Sequence, residues 1–174
     1  MLLVRFCPKA YISSLSKIDP EYFRKKGIKG LILDLDNTIV PWKGEALEPQ
    51  MEELLKRFRN SGLKLCVVSN AFNRRVVDVL EPLGIPWVAR ARKPRRKPFL
   101  KAMDILGTSP HDTAVIGDQV FTDIWGGNRL GFYTVLVEPI SKKEFIGTRF
   151  VRILEKFLLY RLAKKGIIEV PGGE

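Results

Sequence analysis

Two aspartates spaced two apart, Asp34 and Asp36, follow directly on an apolar run, Leu31-Ile32-Leu33, and lead into Asn37-Thr38. A short aliphatic run bounded by a glycine, here Gly30, predicts a buried strand. Unpaired charge inside a core is costly, so both carboxylates belong at the strand's carboxyl end, the edge of an α/β sheet where ligands sit. Two more predicted strands end in polar residues: Val67-Val68 runs into Ser69-Asn70, and Val115-Ile116-Gly117 runs into Asp118, with Asp123 close behind. In a parallel sheet these ends share one edge. Carboxylates gathered there repel one another unless a cation separates them, and a hard cation with oxygen ligands, Mg²⁺ or the similar Mn²⁺, answers that need. A calcium loop of the EF-hand type does not fit, because its glycine and terminal glutamate are missing at loop spacing.

A hydroxyl at Ser69 and a lysine from the basic stretch Arg90–Pro98 complete a set with one chemistry in common. One carboxylate is a nucleophile, a second carboxylate moves protons, and the metal, the lysine and the hydroxyl neutralise and orient a transferring phosphoryl group. Lys93-Pro94 and Lys97-Pro98 are both candidates for that lysine, and Lys93, first after the preceding strand, is preferred. The single histidine, His111, is expected in a helix-to-strand connection rather than in the chemistry.

Elements of regular length must place these residues. Strands are expected over 30–34, 63–68, 85–88, 112–117 and 133–137. Helices are expected from Pro49 to Gly62, with Met51, Leu54, Leu55 and Phe58 on one side, and around Val76, Val77, Leu80 and Leu83, stopped at Gly84. Two more are expected around Phe99, Leu100, Met103 and Leu106, closed by Gly107, and from Asp123 to Leu130. Strand–helix alternation with short connections predicts an α/β fold, a mainly parallel sheet with helices on both faces. Residues 1–29 are expected to be a packing arm, with a helix capped by Asp19 and started by Pro20.

In order, Asp34-Leu35-Asp36-Asn37-Thr38, Ser69 after Val67-Val68, Lys93-Pro94 and Gly117-Asp118…Asp123 resemble the four motifs of the haloacid dehalogenase superfamily of phosphatases. The resemblance spans about residues 30–137 and implies a Rossmann-like fold. It also implies roles. Asp34 is the nucleophile and a metal ligand. Asp36 is the general acid/base, with its backbone carbonyl on the metal, and Thr38 orients it. Ser69 and Asn70 contact the phosphoryl oxygens, and Lys93 neutralises the nucleophile and the phosphate. Asp118 ligates Mg²⁺, and Asp123 reaches the metal or holds the lysine. Plainer roles compete: a helix cap for Ser69 or Asp123, a turn residue for Thr38.

Members of that superfamily often carry a cap domain after the first motif or between the second and third. Here both intervals are short, so no cap is expected and the site is open. With the N-terminal arm, Trp42 and the run Gly117-Asp118-Gln119…Gly126-Gly127-Asn128-Arg129, the sequence is similar to the YqeG family of class IIIA phosphatases. That family resembles the mitochondrial phosphatidylglycerophosphate phosphatases, which implies a phospholipid precursor as substrate. Phosphatase action on nucleic-acid ends or soluble phosphometabolites, and a non-catalytic interaction module, remain as alternatives.

The 174 residues, 45% hydrophobic, suffice for one domain with a full core, and the reading is a single domain with its catalytic core over 30–140. A net charge of +11 favours anionic partners without choosing among them. Over 145–165, Ile146, Phe150, Ile153, Leu154, Phe157, Leu158 and Leu162 recur at helical spacing between basic residues. Such a helix either lies in an anionic membrane interface or packs its apolar face on the sheet or on a second subunit. Met1–Val4 is too short for a signal peptide. Cys7 and Cys66, far apart, are expected to be reduced thiols in a cytoplasmic protein, in peripheral contact with the inner face of the membrane.

Overall fold

The computed structural model describes residues 3–44, 46–141 and 146–171. Six strands form one all-parallel sheet: β1 (Ala10–Ile12), β2 (Gly30–Leu33), β3 (Lys64–Val68), β4 (Trp87–Val88), β5 (Thr113–Gly117) and β6 (Tyr133–Val137). Their order across the sheet is β1-β6-β5-β2-β3-β4. The helices are α1 (Pro20–Arg24), α2 (Pro49–Asn60), α3 (Asn73–Leu80), α4 (Arg96–Leu106), α5 (Trp125–Asn128) and α6 (Ile146–Lys164).

β2 is central because it is apolar on both faces. Ile32 sits level with Cys66 of β3 and Val115 of β5. Successive side chains of a strand point to opposite faces, and the packing follows that rule. Leu31 and Leu33 join Phe23, Leu54, Leu55, Phe58, Val76 and Leu80 under α1, α2 and α3. Ile32 joins Cys66, Val115, Phe99, Ala102 and Leu106 under α4. On that second face, beyond β5, Leu136 packs with Val120, Ile124, Leu158 and Leu162 beneath α6. Helices therefore cover both faces, as the strand–helix alternation requires.

The N-terminal arm does more than pack. Its residues 10–12 pair with Val135, Leu136 and Val137 and add an edge strand, too short to carry a periodicity signal of its own. The strand expected over 85–88 shortens to Trp87–Val88, because Pro86 has no amide proton for a ladder. The helix expected from Asp123 instead begins as a π-helical turn, Val120–Ile124, before α5. His111 lies in a 3₁₀ turn before β5, and both cysteines are free. No inserted domain follows Asp34, Ser69 or Val88 among the described residues. The expected helix start at residue 145 and the side chain of Ile146 lie outside the described residues.

The strand order reverses at β2: β3 lies on one side and β5 on the other. Connections diverge there, which opens a crevice at the carboxyl ends of these strands.

Candidate active site

Asp34 is the first residue past β2, and its amide still donates to the carbonyl of Ile116 on β5 at 2.9 Å. The chain then turns back on itself. The amides of Ile39 and Val40 both donate to the Leu35 carbonyl at 3.1 Å. Asn37 takes a left-handed conformation, φ 63°, which asparagine tolerates better than most side chains. Its Oδ1 accepts from the Trp42 amide at 3.1 Å. This tight loop carries Asp36 and Thr38 to the same edge as Asp34.

The loop after β4 is laced to the loop after β3. The Ala91 amide donates to the Ser69 carbonyl and the Arg90 amide to the Ala71 carbonyl, both at 3.0 Å. The Lys93 amide donates to Asn70 Oδ1 at 2.8 Å. Lys93 is thereby turned inward, and its Nζ donates to Asp34 Oδ1 and, at 2.6 Å, to Asp123 Oδ1. Its side chain is 3% exposed. Lys97 instead sits exposed in the first turn of α4. Ser69 is buried at the end of β3, and its Oγ accepts from the Ala71 amide at 3.0 Å, leaving its proton available to another acceptor.

Asp118 and Asp123 close the site from β5. A glycine is required at 117, the last residue of β5: a Cβ there would lie 2.3 Å from the Asp123 carboxyl, a distance no side chain allows. Asp34, Asp118 and Asp123 each offer a carboxylate oxygen within 4.8 Å of the others, all three buried. Oxygen donors so close suit a hard divalent cation.

The charges support the same conclusion. Burial pushes the Asp34 carboxyl well up, Lys93 opposes this, and Asp123 and Asp118 add to it. Burial also raises Asp118 to about 6, against Arg152. Burial works against the charge on Lys93 as well, but Asp123 and Asp34 outweigh it and hold the ammonium charged. Negative charge is in excess at this edge, and the deficit is one that a proton or a bound cation makes good.

Two contacts differ from the sequence expectation. Thr38 Oγ1 donates to Asp118 Oδ1 at 3.5 Å, where an orienting bond to Asp36 was expected. Asp36 is held from another element: Arg75 on α3 donates to its Oδ1 at 2.5 Å and also bonds the Gly44 carbonyl. Asn70 also fixes the Lys93 loop through its Oδ1, while its side-chain NH2 is the group that would donate to a phosphoryl oxygen. The sequence reading missed Arg75, Arg152 and Glu155. Arg152 on α6 donates to Asp118 Oδ2 at 2.6 Å, and Glu155 accepts from the Phe121 amide at 2.9 Å. No local motif marks these residues. Only Glu155 carried a hint, as the one acid among the cations of α6.

The haloacid dehalogenase-like hydrolase family model matches residues 43–131, and that for mitochondrial PGP phosphatase matches residues 3–81. The probable phosphatase YqeG of Bacillus subtilis is 40% identical over 169 residues, covering 97% of this chain and 98% of its own. The phosphatidylglycerophosphate phosphatase 1 of Arabidopsis thaliana, chloroplastic/mitochondrial, is 36% identical, but the match covers only 49% of that longer protein. Among solved structures, the cobalt-bound deoxy-D-mannose-octulosonate 8-phosphate phosphatase of Haemophilus influenzae has the same fold. It superposes with a TM-score of 0.54 at 15% identity, covering 85% of this chain and 93% of that one. The HAD phosphatase of Thermococcus onnurineus, TM-score 0.50 at 17% identity over 68% of this chain and 90% of its own, also shares the fold. With its four motif residues converging on one buried edge, the chain belongs to the haloacid dehalogenase superfamily, in the YqeG family of phosphatases.

Proposed function

We propose that this phosphatase hydrolyses a phosphomonoester in two steps through Asp34, with Mg²⁺ at the Asp34–Asp118–Asp123 cluster, and that its substrate is a phospholipid precursor such as phosphatidylglycerophosphate. The buried Asp34–Lys93–Asp123 arrangement beside Asp118 carries the catalytic part of this reading. When bound, the cation neutralises phosphoryl charge and keeps Asp34 ionised; Mn²⁺ has the same donor preference. Asp34 attacks phosphorus, the bond to the leaving oxygen breaks, and Asp36 supplies that oxygen with a proton. Asp36 then takes a proton from the water that attacks the phosphorus of the aspartyl-phosphate, releasing inorganic phosphate and restoring Asp34. Lys93 and the Ser69 hydroxyl hold the phosphoryl oxygens. Arg75 fixes where Asp36 stands.

Two observations support a lipid headgroup. The plant relative named a phosphatidylglycerophosphate phosphatase matches over 92% of this chain. Beside the site, Asn70, Phe72, Arg90 and Arg92 line an open cleft of about 480 Å³. Arg90 and Arg92 keep left-handed backbones, φ 47° and 54°, and the Arg90 guanidinium lies 5.0 Å from the exposed Phe72 ring. An open, cationic mouth without a cap suits a large anionic substrate presented at the cytoplasmic face of a membrane.

The test measures phosphate release from phosphatidylglycerophosphate in mixed micelles, from soluble phosphomonoesters and from a 5′-phosphorylated oligonucleotide. Mg²⁺-dependent turnover, greatest on the lipid and abolished by Asp34→Asn with the fold intact, is expected. Equal turnover by the variant, or full activity in excess chelator, overturns the mechanism. Turnover confined to the soluble esters or the oligonucleotide discards the lipid.

A further inference from the structure

α6 carries two apolar stripes. Leu158, Leu159 and Leu162 face the sheet side, with Leu158 and Leu162 buried against Val120, Ile124 and Leu136. Phe150, Ile153, Leu154, Phe157 and Tyr160, spaced three and four apart, form a second stripe that is 50–69% exposed. Residues so spaced line one side of a helix, and a helix apolar on two sides normally has both covered. Contiguous exposed apolar surface of this kind marks an interaction site.

The charges choose the occupant. Arg149, Lys156, Arg161 and Lys164 are exposed around the outer stripe. The one acidic residue of α6, Glu155, is 2% exposed and faces inward. The outer face of the helix is therefore purely cationic and apolar. A second copy is a poor occupant, because a two-fold contact sets the same patch against itself and brings these cations together. An anionic bilayer complements both features: the aromatic and aliphatic side chains enter the headgroup–acyl boundary, and the cations meet lipid phosphates. No helix among the described residues is long and apolar enough to cross a membrane, so the contact is one of lying on the surface.

We propose that the outer face of α6, Phe150, Ile153, Leu154, Phe157 and Tyr160 with their flanking cations, docks the protein on an anionic lipid bilayer. The helix also fixes the distance from that surface to the chemistry. From its inner side Arg152 bonds Asp118, so the acidic cluster lies about one helix diameter, ~10 Å, from the docking face. The inference builds on the lipid-substrate reading by naming the surface that would deliver such a substrate.

The experiment is cosedimentation of the full chain with vesicles of phosphatidylcholine alone or doped with phosphatidylglycerol. The wild type is expected to sediment with the anionic vesicles and to be released by salt. Phe150→Ser with Phe157→Ser is expected to weaken binding on the order of tenfold, in keeping with the lost apolar area. Arg149→Gln with Lys156→Gln is expected to weaken it roughly fivefold per cation. Hydrolysis of a soluble phosphomonoester, unchanged in both pairs, shows that the variants are folded. Absence of wild-type binding, equal binding to neutral vesicles, or binding indifferent to both pairs of substitutions overturns the proposal. So does a wild-type dimer that the Phe150/Phe157 pair dissolves, which would assign the stripe to a second copy. Vesicle binding without turnover of the lipid discards the lipid substrate and leaves the docking face standing; lipid turnover without vesicle binding does the reverse.

Discussion

Lys93 holds the charge balance of the site in its side chain. It is the only ammonium bridging Asp34 and Asp123, and all three groups are buried among the described residues. Removing one partner of a buried ion pair leaves the other charge uncompensated, at a cost of about 3–5 kcal/mol. Lys93→Met, which keeps most of the volume, is therefore expected to destabilise the protein by about 3 kcal/mol in chelator. Urea unfolding measures this, and added Mg²⁺ is expected to restore part of the loss. A variant as stable as the wild type in chelator would show that the carboxylates do not need the lysine. The sequence narrowed the choice to Lys93 or Lys97 and preferred the first. Contacts far apart in sequence place the two side chains: Asn70 Oδ1 on the Lys93 amide and the Ser69 carbonyl on Ala91 turn position 93 inward, while the start of α4 leaves position 97 exposed.

At the scale of elements, α6 is the helix whose role changed most. Its period was plain in the sequence, as a membrane-facing or a core-facing helix. The structure gives it a buried face and an exposed one, and it extends the buried face into the site through Arg152 and Glu155. Burial pushes the Glu155 carboxyl from 4.5 to about 7, against the Phe121 amide and Arg152. The folded state therefore holds this proton more tightly than the unfolded chain. The resulting stability is complete below about 4.5 and is lost as pH rises through about 7. Glu155→Gln keeps an acceptor for the Phe121 amide and removes the titration. In chelator, the variant is expected to flatten the decline in stability over that window, by at most about 3 kcal/mol, since a tenfold change in a protonation equilibrium is about 1.4 kcal/mol. Parallel pH trends in the two proteins would place the effect elsewhere. The edge strand β1 shows the opposite limit of legibility. Three residues beside Pro8 carry no readable alternation, and only their pairing with β6 makes them a strand.

Taken whole, the molecule places three buried carboxylates, Asp34, Asp118 and Asp123, at one edge while carrying a net charge of +11 overall. A divalent cation held among them would stabilise the folded state. A ligand that binds only the folded state stabilises it by about 2.7 kcal/mol at a concentration a hundredfold above its Kd. Mg²⁺ is thus expected to raise the melting temperature, and EDTA to reverse the rise. Asp118→Asn is expected to reduce the response, and a melting temperature indifferent to Mg²⁺ in the wild type would argue against a cation at this edge. The strand–helix alternation, the strand ends that carry Asp34, Ser69 and Asp118, and through them the superfamily, were all legible in the amino-acid order. Each of these lies in a local pattern: an apolar run, a polar terminus, a glycine stop. Folding in three dimensions sets which cation pairs with which carboxylate, that Asp36 bonds Arg75 while Thr38 bonds Asp118, that Arg152 braces Asp118, and which side of α6 stays uncovered. Those are contacts between elements distant in the chain, and no spacing within a single segment encodes them.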